Sequence, residues 1–490
     1  MPAITTPFSL RAARTTARLS TGLATGLAAG LAALLLGGCA GIPHDAPSQS
    51  RLSGPALGLS ATPAAPPIAA DWWQGLGDPA LAPLMADALA GSPTIAQAQI
   101  RLKLAGAALS AARATQLPSA TLDASVERQR FSANYIYPPP FGGANYWISN
   151  AEADVSWTLD FAGKQKALVA ATRAGQQAMA LDLAAARVAL QGALAQGWVG
   201  LARANRQEAI AQSFVASREA SLALIATRRR AGLASDLDMA AAQTLLDQAR
   251  QNVLSAHASA QTLRHALAAL AGRGPDYGAA LPAPRLDLAG ALPVPGVLPA
   301  DLLARRADIA AQRQLVEANL QGITAARADF YPNVNLRAFV GAQALGIGSL
   351  FAGDALTAGA GPAVHLPLFE GGALRARYRA AVSFADNAIA GYNAAVIAAV
   401  RQAADALTAA EASSAEARQQ GRIIAGLDQT VALDHRRMAS GLATRLDILS
   451  ADERLLAARQ AEVDLLADAL DARIRLAVAL GGGFAPDAPL

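Results

Sequence analysis

The sequence predicts a mainly α-helical fold that also contributes strands to a membrane β-barrel. Three observations predict it: two proline-free tracts of helix-forming residues, short segments in which apolar and polar residues alternate, and a sequence that repeats after about 210 residues. Two tandem repeats are therefore expected, each with two β-strands and long α-helices. Hydrophobic residues make up 53% of the chain and aromatic residues only 5%, so much of the apolar content is alanine.

The long helices are predicted from the position of the prolines. No proline occurs in residues 141–274 or 368–485, and both tracts are rich in alanine, leucine, glutamine and arginine. One glycine turn interrupts each tract, at Gly232 and at Gly441. A helix from residue 162 to the first turn would be about 100 Å long. That length matches the depth of the bacterial periplasm better than the size of a globular domain.

The internal repeat follows from aligning the two glycine turns, which gives an offset of 209 residues. The same offset aligns Asp238 with Asp447 and the preceding leucines with each other. A shorter helix is predicted before the strands of each repeat, over residues 93–117 and 302–330, and each ends beside a proline. We expect a signal peptide (1–38), an anchored linker (39–70), a first repeat (71–274), an interrepeat linker (275–300), a second repeat (301–480) and a C-terminal tail (481–490).

The strands are predicted from strict alternation. In residues 147–160 one face is largely apolar and the other is polar after its first residue. Such segments of about ten residues are typical of membrane barrel strands, although a half-buried sheet in a soluble domain alternates in the same way. The other strands are expected at 119–131, 333–341 and 356–368, with loops over 132–145 and 342–355.

One chain cannot complete such a barrel. The smallest membrane barrels have eight strands, and an open sheet edge in lipid leaves backbone groups without hydrogen bonds. Three copies related by cyclic symmetry would supply twelve strands and twelve long helices. A dimer would give an eight-stranded barrel filled by its own side chains. The sequence therefore predicts a homotrimer with a 12-stranded β-barrel on a 12-helix α-barrel.

The N-terminus has the pattern of a bacterial lipoprotein signal. Arg11, Arg14 and Arg18 precede an apolar run over residues 23–36, which ends in Leu-Gly-Gly-Cys. Cys39, the only cysteine of the chain, is predicted to become the first mature residue and to carry acyl chains such as palmitate. The alternative is an ordinary signal peptide with a cysteine at this position by chance.

Composition excludes several classes of function. The formal net charge of +4 includes the three leader arginines, so the mature chain is close to neutral and no nucleic-acid partner is expected. After the signal, no segment approaches 18 uncharged apolar residues, so no membrane-spanning helix is expected. There is no nucleotide-binding or zinc-ligand motif, and the five histidines are scattered. We therefore expect no enzyme activity, no cofactor and no metal site.

Residues 298–309, Leu-Pro-Ala-Asp-Leu-Leu-Ala-Arg-Arg-Ala-Asp-Ile, resemble a signature of the TolC-like outer-membrane efflux lipoproteins, the NodT group. Ala307 stands where that family usually has proline. The resemblance implies a lipid-anchored channel in the cell outer membrane that extends into the periplasm. It also implies a periplasmic membrane-fusion adaptor and an inner-membrane resistance-nodulation-division (RND) pump as partners. The channel would be the passive exit duct for drugs or other small molecules.

The same resemblance implies a periplasmic gate near the glycine turns. Asp447 matches a family position whose aspartates ring the constriction, Leu446 matches an apolar plug, and Asp238 is the repeat-equivalent of Asp447. For Asp238, a charge that favours a helix N-terminus is the alternative role.

Departures from the family pattern leave open which charged residues pair with each other at this gate. Arg445 is a plausible partner for a gate carboxylate. The family's gating arginine often falls where this chain has Ala443, and a second family aspartate falls on Ser450.

Two other functions remain as alternatives. The outer-membrane duct of a type I protein secretion system would have the same fold, but the lipoprotein signal and the signature favour efflux. A non-conducting structural lipoprotein or coiled-coil adaptor is disfavoured by the alternating strand over residues 147–160.

Overall fold

The structure, a computed structural model, describes residues 43–57, 68–290, 292–295 and 302–485. The predicted signal peptide, Cys39 and the first part of the signature lie outside the described residues. Within those ranges the chain is mostly helical, as expected. The α-helices are α1 (Leu81–Gly91), α2 (Pro93–Ala114), α3 (Lys164–Arg230), α4 (Asp236–Leu270), α5 (Pro275–Ala280), α6 (Ala307–Ala328), α7 (Ala373–Ala439) and α8 (Arg445–Ala479). The strands are β1 (Ser119–Arg130), β2 (Asn145–Leu159), β3 (Asn333–Leu345) and β4 (Leu356–His365).

The two helical hairpins have matching lengths. Helices α3 and α7 each have 67 residues, and helices α4 and α8 each have 35. Helix α3 begins two residues later than expected. Gly163 has a left-handed backbone with φ of 75°, and the Asp160 carboxylate accepts hydrogen bonds from the backbone N–H groups of Gln165 (3.0 Å) and Lys166 (2.8 Å). These contacts satisfy the free donors of the first helical turn and set its start at Lys164.

One helix has the length and composition that a membrane span would need. Helix α3 contains an 18-residue window that is long and apolar enough to cross a membrane by composition alone, and 39% of that window is buried. This window is rich in alanine and contains few charged residues, so its average composition is apolar. It is not an unbroken run of uncharged residues, which was the criterion for the expectation from the sequence. A core helix of a soluble protein meets the same test.

The shorter helices end and begin inside their expected ranges. Helix α2 ends at Ala114, three residues early, and helix α6 begins at Ala307 after a 3₁₀ turn over Leu302–Ala304. At the start of α6, Arg306 holds the Asp308 side chain with two hydrogen bonds, of 3.0 and 2.7 Å. Arg306 also donates to the carbonyl of Ala479 at 3.1 Å, so the signature arginine joins the start of α6 to the end of α8.

The four strands form one antiparallel sheet in the order β1-β2-β3-β4. Strand β3 extends to Leu345, four residues beyond the expected end. Strand β4 ends at His365, shortly before Pro367, which has no backbone N–H for the ladder. Because paired residues share a face of a sheet, the register separates two faces. One face, called the apolar face below, carries Leu122, Val126, Trp147, Val155, Trp157, Leu336, Val340, Leu356 and Val364. The other face, called the polar face below, carries Asp123, Glu127, Glu152, Asp154 and Arg337.

Two compact units make up the described chain. The first comprises residues 43–49, 107–174 and 316–388 and holds the sheet. The second comprises the described parts of residues 50–106, 175–315 and 389–485 and holds the ends of both hairpins.

The core of the second unit is organised around a buried carboxylate. Trp198 is fully buried and its indole Nε1 donates to Asp78 at 2.9 Å. The backbone N–H groups of Arg285 (2.7 Å) and Ala80 (3.0 Å) donate to the same side chain. The carboxylate is thereby satisfied by three donors, as a buried charge requires, and it joins α3 to two segments outside the hairpins.

Candidate functional site

The first turn, residues 228–238, has a left-handed glycine at its centre. Gly232 has φ of 70°, a conformation that carries a steric cost for any residue with a Cβ. The N–H of Gly232 donates to the carbonyl of Arg229 at 2.9 Å, and the N–H of Leu233 donates to the carbonyl of Arg228 at 2.8 Å. These two bonds are a Schellman motif, which satisfies the last carbonyls of α3 and reverses the chain.

The second turn, residues 437–447, repeats this geometry. Gly441 also has φ of 70°, and its N–H donates to the carbonyl of Met438 at 3.0 Å. The N–H of Leu442 donates to the carbonyl of Arg437 at 2.8 Å. The predicted turn glycines, Gly232 and Gly441, thus lie at equivalent points of the two hairpins.

Both candidate gate aspartates belong to capping boxes at the start of the following helix. The Asp238 carboxylate accepts from the Ser235 N–H and hydroxyl, both at 2.7 Å, and the Asp238 N–H donates to the Ser235 Oγ at 3.2 Å. Asp447 makes the same three bonds with Thr444, of 2.7, 2.7 and 3.3 Å. In each aspartate one carboxylate oxygen, Oδ2, accepts both bonds.

The capping bonds lower the pKa of both aspartates. For Asp238 the largest cause is the backbone hydrogen bond from Ser235, and for Asp447 it is the one from Thr444. A nearby arginine adds to the effect, Arg228 for Asp238 and Arg437 for Asp447. Both side chains are therefore negatively charged at neutral pH.

The charges around the two turns differ. In the first turn, Arg229 and Asp236 form an ion pair of 2.7 Å across the turn. The equivalent positions of the second turn hold Met438 and Arg445. Within the described part of the chain, Arg445 forms no ion pair. The arginine that acts on Asp447 in the single chain is thus Arg437, and Arg445 remains an uncompensated positive charge.

The remaining predicted gate residues lie in the first two turns of α8. Leu446 is half-buried, whereas the repeat-equivalent Leu237 is 78% exposed. Ser450 is exposed, and its backbone carbonyl accepts a 3.3 Å hydrogen bond from Arg454. Among the described residues, no hydrogen bond or ion pair joins one glycine turn to the other.

Polar contacts between α3 and α8 join the two hairpins at a distance from the turns. They follow an antiparallel ladder, because each step along α3 is matched by an equal step back along α8. Arg218 pairs with Glu453 at 3.0 Å, and their side chains are only 25% and 16% exposed. Ser217 donates to the same Glu453 at 3.5 Å, and two further links are Gln207–Asp464 and Arg203–Asp468.

These ladder residues were not identified from the sequence. The available signal was the set of positions at which the repeats differ in charge. Arg218 corresponds to Leu427, and Glu453 corresponds to Thr244. In contrast, an ion pair that joins the two helices within each hairpin is present in both halves, as Arg250–Glu219 (3.0 Å) and Arg459–Asp428 (3.3 Å).

Among the described residues, no group of three or more His, Cys, Asp or Glu side chains lies close enough together to hold a metal ion. His257 contacts Glu208 at 3.2 Å as an isolated pair.

Comparison with known proteins relates the chain to outer-membrane transport proteins. Residues 84–273 and 298–482 match the family model described as outer membrane efflux protein. The chain is 35% identical over 359 residues to the fusaric acid resistance protein FusA of Burkholderia cepacia, covering 71% of this chain and 67% of that protein. It is 28% identical over 424 residues to the multidrug resistance outer membrane protein MdtQ of Escherichia coli, covering 84% and 88% respectively.

A solved structure has the same fold. The outer membrane protein VceC of Vibrio cholerae superimposes with a TM-score of 0.77 and 31% sequence identity. The match covers 86% of this chain and 100% of VceC.

Proposed function

The chain belongs to the TolC-like outer membrane efflux protein family, and from that premise we propose that it is the exit duct of a tripartite efflux pump and conducts only as a homotrimer. As a member of that family it is an outer-membrane component of an efflux system. We further propose that it forms a homotrimer, carries a lipid anchor, binds partner proteins and closes through a periplasmic gate.

The observation that carries the proposal is the sheet. It has one apolar face, and its two outer strands, β1 with 12 residues and β4 with 10, have no further neighbour in the described chain. Unpaired strand edges are unfavourable in lipid, because no water is present to satisfy them. A second copy that sets its β4 beside this β1 removes one edge, and three copies in a ring remove all of them. The polar face would then line the duct.

A lipid on Cys39 would hold the trimer at the membrane. The segment that follows it is fixed to the start of α7: the Tyr378 hydroxyl donates to the Asp45 carbonyl at 2.7 Å, and Ser48 donates to Asp386 at 3.2 Å.

We propose that the second turn supplies the main gate charge, with Asp447, Leu446 and Arg445 at the constriction. Threefold symmetry would make Asp447 a ring of three ionised carboxylates. Arg445, which has no ion-pair partner in the described chain, is available to an acid on a neighbouring copy. Asp238 and Ser450 would have lesser roles. The Arg218–Glu453 contact supports closure, because it holds the second hairpin against the first.

The proposed partners are a periplasmic membrane-fusion adaptor and an inner-membrane RND pump, which supplies the energy. The proposed cargo is a small organic molecule, as the names of the relatives FusA and MdtQ suggest for those proteins.

Purified protein in a planar bilayer tests this function, after native mass spectrometry has determined its oligomeric state. We expect a trimer that conducts weakly until the gate is loosened. A monomer, or a protein without conductance in both the wild type and the gate variants, contradicts the duct. Deletion of the gene for this chain should abolish drug efflux and leave protein secretion unchanged. That result would distinguish this function from type I secretion.

A further inference from the structure

Two arginines interrupt the apolar face of the sheet. Among the residues of the four described strands, Arg128 and Arg130 are the only charged side chains on that face, since every other charged strand residue belongs to the polar face. Both lie at the same end of β1, and both are exposed. Both arginines therefore lie at one end of the apolar face, where β1 ends.

This end of the apolar face has the features of a membrane–water interface. Arg128 pairs with Trp147 in the register, and its guanidinium carbon lies 5.9 Å from the centre of the indole ring. Trp157 lies ten residues further along the same face of β2, about 33 Å away along the strand. At the tilt usual for barrel strands this spans about 25 Å, the height of the apolar band of such a barrel. Trp147 and the arginines then lie at the level of the lipid headgroups.

The loop beyond the arginines is uncharged and aromatic. Residues 131–144 contain no acidic or basic residue. The rings of this loop pack on each other and on Tyr146 of β2, with Phe131 and Tyr137 at 4.7 Å and Phe141 and Tyr146 at 5.7 Å between ring centres. Tyr135 nevertheless remains 65% exposed. An ordered loop that exposes aromatic rings indicates a contact surface, and tyrosine and tryptophan favour the membrane interface.

Within the described part of the chain neither Arg128 nor Arg130 forms an ion pair, and the neighbouring Glu127 belongs to the polar face. An arginine beside lipid extends its guanidinium to the headgroup region and there binds phosphate through two parallel hydrogen bonds. Charge complementarity at this end of the apolar face therefore selects an anionic group with several oxygens.

We propose that Arg128 and Arg130, flanked by Trp147 and the loop 131–144, bind a phosphorylated lipid headgroup. This site rests on the proposed function, because it requires the apolar face to meet lipid. The loop 131–144 joins the ends of β1 and β2 that are opposite to the ends continuing into helices α2 and α3, so we assign the ligand to the outer leaflet. The ligand is a glycolipid that carries phosphate on its sugar headgroup, and its acyl chains lie along the apolar face below the arginines.

Native mass spectrometry of the full-length protein with added diphosphoryl lipid A tests the site. The double variant Arg128→Gln/Arg130→Gln should lose lipid affinity by about tenfold, since two charge-assisted contacts are removed. The matched control is Arg337→Gln, an arginine of the same sheet on the polar face, which should bind lipid A as the wild type does. Chemically dephosphorylated lipid A should bind the wild type as weakly as lipid A binds the double variant. Inorganic phosphate alone should not compete at millimolar concentration.

Each arm has an outcome that overturns the site. Equal binding by the wild type and the double variant excludes the arginines, and an equal loss in Arg337→Gln shows a general charge effect. Full competition by inorganic phosphate would show a free-anion site in place of a lipid site. Bilayer conductance distinguishes failure of the lipid site from failure of the duct. A double variant that conducts normally and still binds lipid A contradicts only the lipid site. Arginine-dependent lipid binding without conductance overturns only the duct.

Discussion

The two glycine turns have the same backbone and different charges. Both have a left-handed glycine, a Schellman motif and a capping box formed by Asp238 or Asp447. The first turn neutralises Asp236 internally through Arg229, whereas the second has Met438 and Arg445 at those positions.

The positions that the two turns share therefore serve folding, and the positions at which they differ are free for assembly. The capping bonds account for Asp238 and Asp447 equally, so they do not by themselves distinguish a gate residue from a structural one. Only the surroundings do. In the second turn Arg445 replaces the acidic Asp236 of the first, and the following helix α8 is joined to α3 through Glu453.

The largest expected effect separates the two aspartates. Asp447→Ala should raise the conductance in planar bilayers, and antibiotic uptake by cells, by about fivefold or more, the lower end of typical couplings in two-state proteins. Asp238→Ala should raise them less, because the family resemblance assigns the constriction to the Asp447 position. Thr444→Ala is the control, since it loosens the cap but keeps the Asp447 carboxylate. Unchanged leakage in Asp447→Ala would remove this residue from the gate, and equal leakage in both would end the distinction between the turns.

Alanine at the turn glycines should affect both hairpins equally. Gly232→Ala and Gly441→Ala each force a side chain into φ of 70°, which costs about 1–2 kcal/mol of local stability. Hydrogen exchange at the ends of α3 and α7 measures this opening. Gly426→Ala is a suitable control, because this residue lies inside α7 and has open space around it. A much larger effect at Gly441 would mean that the second turn is constrained by contacts outside the single chain.

Loss of a cap should weaken the two turns to a similar degree. Ser235→Ala and Thr444→Ala should each cost about 1 kcal/mol of local helix stability, measured by hydrogen exchange at the starts of α4 and α8. Serine and threonine exchanged for each other, Ser235→Thr and Thr444→Ser, should be nearly neutral controls.

The pH dependence of the caps follows from the lowered pKa values of Asp238 and Asp447. The carboxylates bind protons less readily in the folded chain. Their contribution is therefore complete above the ordinary value of 3.8 and is lost as the pH falls below it toward the lowered pKa. Protection of the two turns should be constant between pH 5 and 8, and a loss within that range would contradict this account.

The smallest expected effect tests the ion pair that distinguishes the turns. Arg229→Gln breaks an exposed pair and should cost only a few tenths of a kcal/mol in the first turn. In the monomeric chain Arg445→Gln should cost less still. If Arg445 binds an acid of a neighbouring copy, Arg445→Gln should instead raise conductance in the trimer, and unaltered conductance would contradict that contact.

Features that depend on local sequence were predictable. Both glycine turns, the helix lengths between them and the alternating strands follow from residues close together in the chain. The capping box at Thr444 and Asp447 was also visible, because a serine or threonine followed three residues later by an acid marks a helix start. For Asp238 the alternative prediction was a charge that favours a helix N-terminus, and for Asp447 only the gate was predicted.

Contacts between distant segments were not predictable from the sequence. The pairing of β2 with β3 joins one half of the chain to the other, and the repeat does not determine that register. The Arg218–Glu453 pair is a contact between hairpins, so the offset of 209 within the repeat gives no indication of it. Such contacts depend on how whole helices pack, which a comparison of the two halves does not contain.

The antiparallel ladder between α3 and α8 acts as a ruler for insertions and deletions. One residue inserted between Gln207 and Arg218 would turn Arg218 by about 100° away from Glu453, because each helical residue advances the helix by that angle. A single compensating residue between Glu453 and Asp464 would restore the axial register but not the contact, because it turns Glu453 in the same sense as Arg218 and leaves the two side chains facing opposite ways. Insertions of about seven residues, close to two full turns, made in both helices would keep Arg218 opposite Glu453. Related proteins with longer ducts should therefore show insertions of whole turns and equal size in both hairpins.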